Sequence, residues 1–448
     1  MQKKVVMLLG VLLVLSVALG GAVVYSVHTA AERAPDLFAS LSSVQAYAES
    51  MDEYPPIDNT AWADPDYSSF LRSTIPSLWD MFLYRVRLKR WPEWHPQGFA
   101  RLLKEVTNYR EGEGLIGRFV LKMRPAPGSR LYVWGDLQGA FHSLVRDLQE
   151  LYNQGLIDER FHIKSANVYF VFNGDLINRS AYSLETLSLV MVLMERNPSN
   201  VFYMRGNHED GGHWKNFSLK RDLVIRAGRV SDEETPLETN MTRFFNTLPL
   251  AFYLVADETD EAIDLVRISH IGRDQVELQE QNFAGFFDGP SSSTPELFKL
   301  TNKTEPTDRQ VMVRVIVRGE PRSTVYRLTQ GLANLEADKG ATTWVILSCP
   351  TESYRHLQDF YYDAFARIEV GKTLSAWTIT LYNQDVRELL GFRQFASYNL
   401  LSGLRIFDAQ DEKEASFSAL QERLTRIYKE IEEVKAICPE AQSLQGEG

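Results

Sequence analysis

Apolar positions change their spacing several times along the chain. Leu131-Tyr132-Val133-Trp134 is a short unbroken run that stops at Gly135-Asp136. Phe141 to Leu151 then follows the helical period. Val168 to Phe172 is a second short run, ending at Gly174-Asp175, and Ser183 to Arg196 is again helical in pattern. Val201 to Met204 is a third run, ending at Gly206-Asn207-His208. Strand, polar loop and helix in this order predict a mostly parallel sheet covered on both faces. Ligands of such sheets gather at the carboxyl ends of the strands, where all three polar clusters fall. Further strands are expected at Asp264 to Ser269, Val311 to Val317 and Trp344 to Leu347. The polar stretch from Gln279 to Asp308, with Gly289-Pro290, reads as an inserted loop.

The regions before and after differ in texture. Val5 to Val27 is uncharged and follows Lys3-Lys4. About 20 apolar residues suffice to cross a bilayer, whereas cleaved signals have a shorter apolar core. Residues 1–29 are therefore expected to be a signal anchor, with a cleaved signal peptide as the alternative. The lysines place the N-terminus on the cytoplasmic side and the remainder across the membrane, in a bacterial periplasm or its equivalent, or secreted if the signal is cleaved. Residues 30–129 read as a helical accessory region. Val44 to Met51 and Phe99 to Val106 have helical spacing, and Pro55-Pro56, Asp64-Pro65 and Trp91-Pro92 interrupt it. The aromatics Trp79, Phe82, Tyr84, Trp91 and Trp94 are expected to serve packing. Residues 409–448 form a tail whose Asp411 to Ala436 segment predicts an amphipathic helix.

Composition narrows the chemistry. The chain has 448 residues and a net charge of -11, which disfavours a nucleic-acid partner. Two cysteines, Cys349 and Cys438, exclude a disulfide framework and a Cys-rich zinc site. Any phosphate chemistry on so acidic a chain needs local cations. A dinuclear phosphatase supplies them with oxygen and imidazole ligands on several strand ends.

Residues 130–408 carry motifs in that order: Gly135-Asp136-Leu137-Gln138-Gly139, then Gly174-Asp175-Leu176-Ile177-Asn178-Arg179-Ser180, then Arg205-Gly206-Asn207-His208-Glu209. Ser183-Leu184-Glu185 follows the second, and His270-Ile271-Gly272, Arg318-Gly319-Glu320 and Ser348-Cys349-Pro350 with Tyr354 come later. This set resembles the phosphoprotein phosphatases, Ser/Thr phosphatase-like members of the calcineurin-like metallophosphoesterases, with altered metal-site residues. The resemblance implies an α/β fold (α+β layers): a β-sandwich flanked by helices, preceded by the anchor and the accessory region.

The resemblance also implies roles. Asp136, Gln138, Asp175, Asn207, His270 and Glu320 would be metal ligands, with Asp175 bridging. His208 would be the general acid, oriented by Asn178. Arg179 would hold the phosphate, aided by Asn207 and Tyr354. A second phosphate-binding arginine is expected between His270 and Glu320, with Arg309 and Arg314 as candidates. Gln138 and Glu320 stand where the family has histidines, and Asn178 where it has an aspartate. An oxygen-rich site favours manganese, with magnesium, iron, zinc and calcium as alternatives to fill two positions. Asp210 could take over the orienting task, and His142 and His213 could add imidazoles. Three functions remain open: hydrolysis of phosphoprotein esters by metal-activated hydroxide, a pseudophosphatase that only binds a phosphorylated partner, and phosphoesterase action on a nucleotide or other small molecule.

Overall fold

The computed structural model of the chain describes residues 36–55, 83, 88–90, 92–227, 237–270, 280–289, 292–304, 306–319, 330–338, 340–350, 360–388 and 391–408. Strands β2 (Arg130–Trp134), β3 (Val168–Phe172) and β4 (Val201–Tyr203) pair in parallel, as their short apolar runs predict. Helices α3 (Phe141–Asn153) and α4 (Ser183–Arg196) connect them. Both faces of these strands are buried. Leu131, Val133, Tyr169 and Val171 face a second sheet, while Tyr132, Trp134, Phe170 and Phe172 lie under the helices. Successive side chains on a strand point to opposite faces, so a strand covered on both reads as continuously apolar.

The parallel trio is only part of one sheet. Its seven-stranded order is β14-β13-β12-β11-β2-β3-β4, with β11 (Tyr362–Glu369), β12 (Thr378–Asp385), β13 (Arg393–Asn399) and β14 (Arg405–Asp408) antiparallel. A second seven-stranded sheet packs against it in the order β7-β1-β5-β6-β8-β10-β9. It contains β1 (Phe119–Met123), β5 (Ala251–Glu258), β6 (Ala262–Ile268), β7 (Glu296–Lys299), β8 (Gln310–Arg318), β9 (Leu332–Asp338) and β10 (Ala341–Ile346). The architecture is thus a sandwich of two mixed sheets, and the single, mostly parallel sheet drawn from periodicity alone is corrected. Strand β1 pairs with β5 and β7 and so belongs to the sandwich, although it precedes the boundary expected at residue 130.

The expected loop from 279 to 308 is also corrected in part. It carries a helical turn at Ala284–Asp288 and strand β7. Phe283, Phe287 and Phe298 are buried against Val120, Tyr253 and Leu265 on the outer face of the second sheet. Phe283, Phe287 and Phe298, dispersed among polar residues, gave no periodic signal, yet with the half-buried Phe286 they cover that face. Lys122, inside this layer, donates to the Phe286 carbonyl at 2.8 Å and pairs with Glu296 at 3.2 Å.

The accessory region docks on the helical side of the first sheet. Helix α1 (Leu41–Glu49) is capped by Ser40, and Leu41, Val44 and Ala48 are buried. Helix α2 (Pro96–Gly112) buries Phe99, Leu103 and Val106 in the same core as α3 and α4. Phe38 stacks on Phe141 at 5.6 Å. Trp94 is buried, its Nε1 donates to Ser188, and the Arg226 guanidinium lies 4.1 Å over its ring. The other four aromatics of that stretch lie outside the described residues, as do the expected anchor at 1–29 and the tail helix at 411–436. Among the described residues no helix is long and apolar enough to cross a membrane.

Arg226 and Glu185 form a buried ion pair, 2% and 0% exposed, that Tyr47 of α1 also joins through its hydroxyl. Glu185→Gln is expected to lower stability by about 3–5 kcal/mol in urea unfolding, because it leaves a buried guanidinium without a counter-charge. The double variant Glu185→Leu with Arg226→Met should lose less than either single change.

Candidate metal centre

The polar clusters meet where β2, β3, β4, β6 and β8 end. Asp136 follows β2 and is held by a parallel bridge to Leu347. Asp175 follows β3, Asn207 and His208 follow β4, and His270 follows β6. Ligand atoms of Asp136, Asp175 and His270 all lie within 4.8 Å of one another, and all three residues are buried. Gly206 and Gly319 permit this crowding. A Cβ at 206 would sit 2.3 Å from the Asp175 backbone nitrogen, and one at 319 would sit 2.5 Å from Asp136 Oδ1.

Backbone strain concentrates here. Gln138, Asp175, Asn178 and Arg179 all have positive φ, between 49° and 73°. Such conformations are costly for residues with a Cβ and persist where surrounding contacts over-determine them. Glu209 provides those contacts. Its carboxylate accepts from the backbone N–H groups of Asp175, Leu176 and Gly206 at 2.9–3.1 Å, and from the Tyr203 hydroxyl at 2.8 Å. Burial, and then Asp175, push its pKa up to about 7. The sequence placed Glu209 in a motif without a task, and the structure gives it one: it ties the loops after β3 and β4 together.

His270 donates from Nδ1 to the Asn173 carbonyl at 2.8 Å, which aims Nε2 at Asn207, 3.0 Å away, and at Asp175, 3.3 Å away. A backbone acceptor on one ring nitrogen is the usual way to present the other to a metal. Burial alone would lower the pKa of His270, but Asp175 and Asp136 overcome it and push it up to about 10. Burial likewise raises that of Asp175, and His270 and His208 more than reverse it, so Asp175 stays ionised well below the usual range. The imidazolium thus stands where a cation is wanted. Gln138 donates from Nε2 to Asp175 at 3.1 Å, and its buried Oε1 has no hydrogen-bond partner. Hard oxygens, one oriented imidazole and an unsatisfied amide oxygen fit a divalent cation.

His208 is buried, its Nε2 3.8 Å from Asp175 Oδ2. Asn178 is fixed in the opposite sense to a carboxylate. Its Oδ1 accepts from the Leu219 N–H at 3.1 Å, so its Nδ2 donates into His208 Nδ1 at 2.8 Å. That bond leaves the ring proton on Nε2. Burial lowers the His208 pKa to about 4, against the pull of Asp175 and with Arg179 reinforcing it. Arg179 is half-buried, with its guanidinium 5.8 Å from the centre of the Phe217 ring.

The remaining expectations separate. Glu320 and Tyr354 lie outside the described residues. Arg309 pairs with Asp288 and Glu258, and Arg314 with Asp264, so neither candidate arginine joins the centre. Asp210 contacts Arg205 at 3.4 Å. His142 faces the Ala48 carbonyl at 3.0 Å under the accessory helix. His213 is exposed and its ring lies 5.8 Å from that of His208. Phe217, which no sequence signal marked, packs on His208 at 4.7 Å. A cavity of about 800 Å³, lined by residues such as Arg110, Tyr169, Phe202 and Leu297, contains none of the residues of the metal centre.

Residues 129–311 match the family model of the calcineurin-like phosphoesterases. The chain carries a calcineurin-like metallophosphoesterase domain. Similar proteins include the serine/threonine-protein phosphatase PP2A-like PPG1 of Candida albicans, 32% identical over 122 residues, 27% of this chain and 26% of the relative. The serine/threonine-protein phosphatase 6 catalytic subunit of Caenorhabditis elegans is 30% identical over 126 residues, 28% of this chain and 34% of its own. The chain thus matches about a quarter to a third of the length of these relatives. Among solved structures, a protein serine/threonine phosphatase from Saccharomyces cerevisiae with similarity to human phosphatase PP5 aligns with a TM-score of 0.40 and 19% identity, covering 63% of this chain and 85% of that one.

A cation that binds Nε2 of His270 must displace its proton. Below pH 10 the domain holds that proton, so metal affinity should rise with pH, about tenfold per unit between pH 6.5 and 8. Calorimetric titration with manganese in buffers of different ionisation enthalpy should register about one proton released per ion bound at His270.

Proposed function

We propose that this protein is a metal-dependent phosphomonoesterase acting on phosphoproteins, with two divalent cations, manganese foremost, at the carboxyl ends of the strands. The observation that carries the reading is the convergence of buried Asp136, Asp175 and the oriented imidazole of His270 within 4.8 Å. Asp136, Gln138, Asp175, Asn207, His270 and Glu320 would hold the cations. When bound, the cations supply Lewis acidity, which offsets phosphoryl charge and makes water a stronger nucleophile at neutral pH.

The side chains around them do the positioning. Arg179, half-buried at the rim, suits a phosphate dianion, since guanidinium donates in a planar fork. His208, neutral with its proton on Nε2, offers a hydrogen bond to a phosphoryl oxygen. Glu209 keeps the strained loops in register and so keeps Asp175 and Asn207 aimed. Relatives named serine/threonine-protein phosphatases support a phosphoprotein substrate for this chain. The apolar stretch within residues 1–29 supports a domain held at a membrane on its non-cytoplasmic side.

A second reading has its own observation. Gln138 hydrogen-bonds the ligand carboxylate and Asn178 donates to His208, an arrangement that also suits a module that binds a phosphorylated partner without turnover. Hydrolysis of p-nitrophenyl phosphate by the full chain with manganese separates the two. The phosphoesterase reading expects turnover that falls at least about 1000-fold in Asp175→Asn, which removes a metal-ligating charge. A wild type that retains a phosphoserine peptide and does not hydrolyse it would favour the binding module. Asn178→Asp should raise the His208 pKa from about 4, since a carboxylate accepts a proton-bearing Nδ1, and the imidazole resonances in a pH titration would report it.

A further inference from the structure

The two sheets end on one side at β4 and β7. Between these end strands, beside the last turns of α2 and α4, lies the cavity of about 800 Å³. Its apolar lining comes from Phe202 of β4, Leu297 of β7, Leu121 of β1, Tyr169 of β3, and Val106 and Tyr109 of α2. Small-molecule sites span about 300–1,000 Å³ and are mostly apolar, with a few convergent polar groups. Volume and lining both meet that description.

The polar group that sets the chemistry is Arg110, the one cation among the described residues that line the cavity. Thr247 fixes its guanidinium. The Thr247 hydroxyl accepts from Nε at 3.0 Å and the Thr247 carbonyl accepts from Nη2 at 2.7 Å. These bonds hold the planar fork in place and leave Nη1 to a further acceptor. Both partners are neutral, and among the described residues no carboxylate pairs with Arg110. Burial lowers its pKa to about 10, so it stays charged at neutral pH. A cation withdrawn from water without a counter-charge is costly. Arg243, which also packs at α2, avoids that cost by pairing with Glu111 at 2.6 Å. Arg110 does not, although Glu105, Glu113 and Glu195 line the same cavity. All three glutamates are exposed to solvent.

We infer that this cavity is a second binding site, separate from the metal centre, for a small monocarboxylate with an apolar aromatic body. The carboxylate accepts from the Arg110 guanidinium and supplies the missing counter-charge. The body lies among Tyr169, Phe202 and Leu297, where aromatic and apolar surface is on offer. The glutamates select the charge of the ligand. One negative charge is offset by the guanidinium, whereas the second charge of a phosphate dianion would meet three carboxylates. The site does not depend on the phosphoesterase reading.

The test is calorimetric titration of the full chain with 4-butylbenzoate, beside its neutral analogue 4-butylbenzamide and the doubly charged 4-butylphenylphosphonate. One equivalent of the benzoate is expected to bind with a Kd below about 100 μM. The benzamide and the phosphonate should each bind about 10- to 100-fold more weakly. Arg110→Gln should weaken the benzoate by the same factor and leave the benzamide unchanged. Leu297→Trp, at a half-buried position, fills part of the cavity and should weaken both. Should Arg110→Gln fail to fold, the comparison of the three ligands on the wild type still decides. No binding of the benzoate at about 1 mM would overturn the site. Equal affinity for benzoate and benzamide, or benzoate binding unaltered in both variants, would overturn it as well. A phosphonate that binds as tightly as the benzoate would overturn the assignment to a monocarboxylate.

Discussion

Burying two carboxylates side by side is costly unless positive charge sits between them. Asp136 and Asp175 are 1% and 2% exposed, and the His270 imidazole is the group that both approach. Much of the surrounding structure serves to hold this arrangement. The carbonyl of Asn173 fixes the ring, Glu209 fixes the loops, and Gly206 and Gly319 leave the space. Four residues in left-handed conformations lie in the loops after β2 and β3, which carry Asp136, Gln138 and Asp175. A site so strained and so charged is what a cation would relieve, and His270 supplies a substitute charge through its proton.

The scaffold explains how such a site persists. The loops after β2, β3 and β4 leave strands buried on both faces, so these strand ends do not drift. The helices over the first sheet are themselves covered by α1 and α2, joined through Trp94, Tyr47 and the Glu185–Arg226 pair. The accessory region is therefore part of the same packed body as the centre. Glu185 illustrates the link, since it lies in the helix that follows the Asp175 loop while its charge is balanced from the segment preceding α5 (Leu237–Asn246).

Legibility in the sequence followed physical cause. The loops at Asp136, Asp175 and Asn207 were readable because each ends a continuously apolar strand with glycine beside a polar ligand type. His270 was readable only through the family resemblance of His270-Ile271-Gly272, since β6 before it carries Asp264 and Arg267 among its apolar residues. Strands β11 to β14 were not, because Thr380, Asn383 and Ser397 alternate with apolar residues in a pattern too mixed to mark a strand. The layer of Phe283, Phe287 and Phe298 was hidden because tertiary contact, not periodicity, places those rings. Glu209 was visible as a residue but its clamp was not, since three backbone donors from two loops carry no sequence signature. The pairing of His208 with Phe217 and His213 depends on a reversal at two glycines, whose direction only the folded chain reveals. The substitution of Asn178 for an aspartate was legible as a change. Its consequence, a donor turned toward His208, follows from the Leu219 N–H and needed the structure.

The most direct test of the central claim is the metal content of the full-length protein after exposure to manganese and removal of free ion, read by elemental analysis for wild type and Asp175→Asn. The account predicts about two equivalents retained by the wild type and fewer than one by the variant, since on the proposed reading Asp175 would be the ligand shared by both positions. Retention of no metal by the wild type, with the His270 imidazolium still titrating in NMR spectra as in untreated protein, would contradict it.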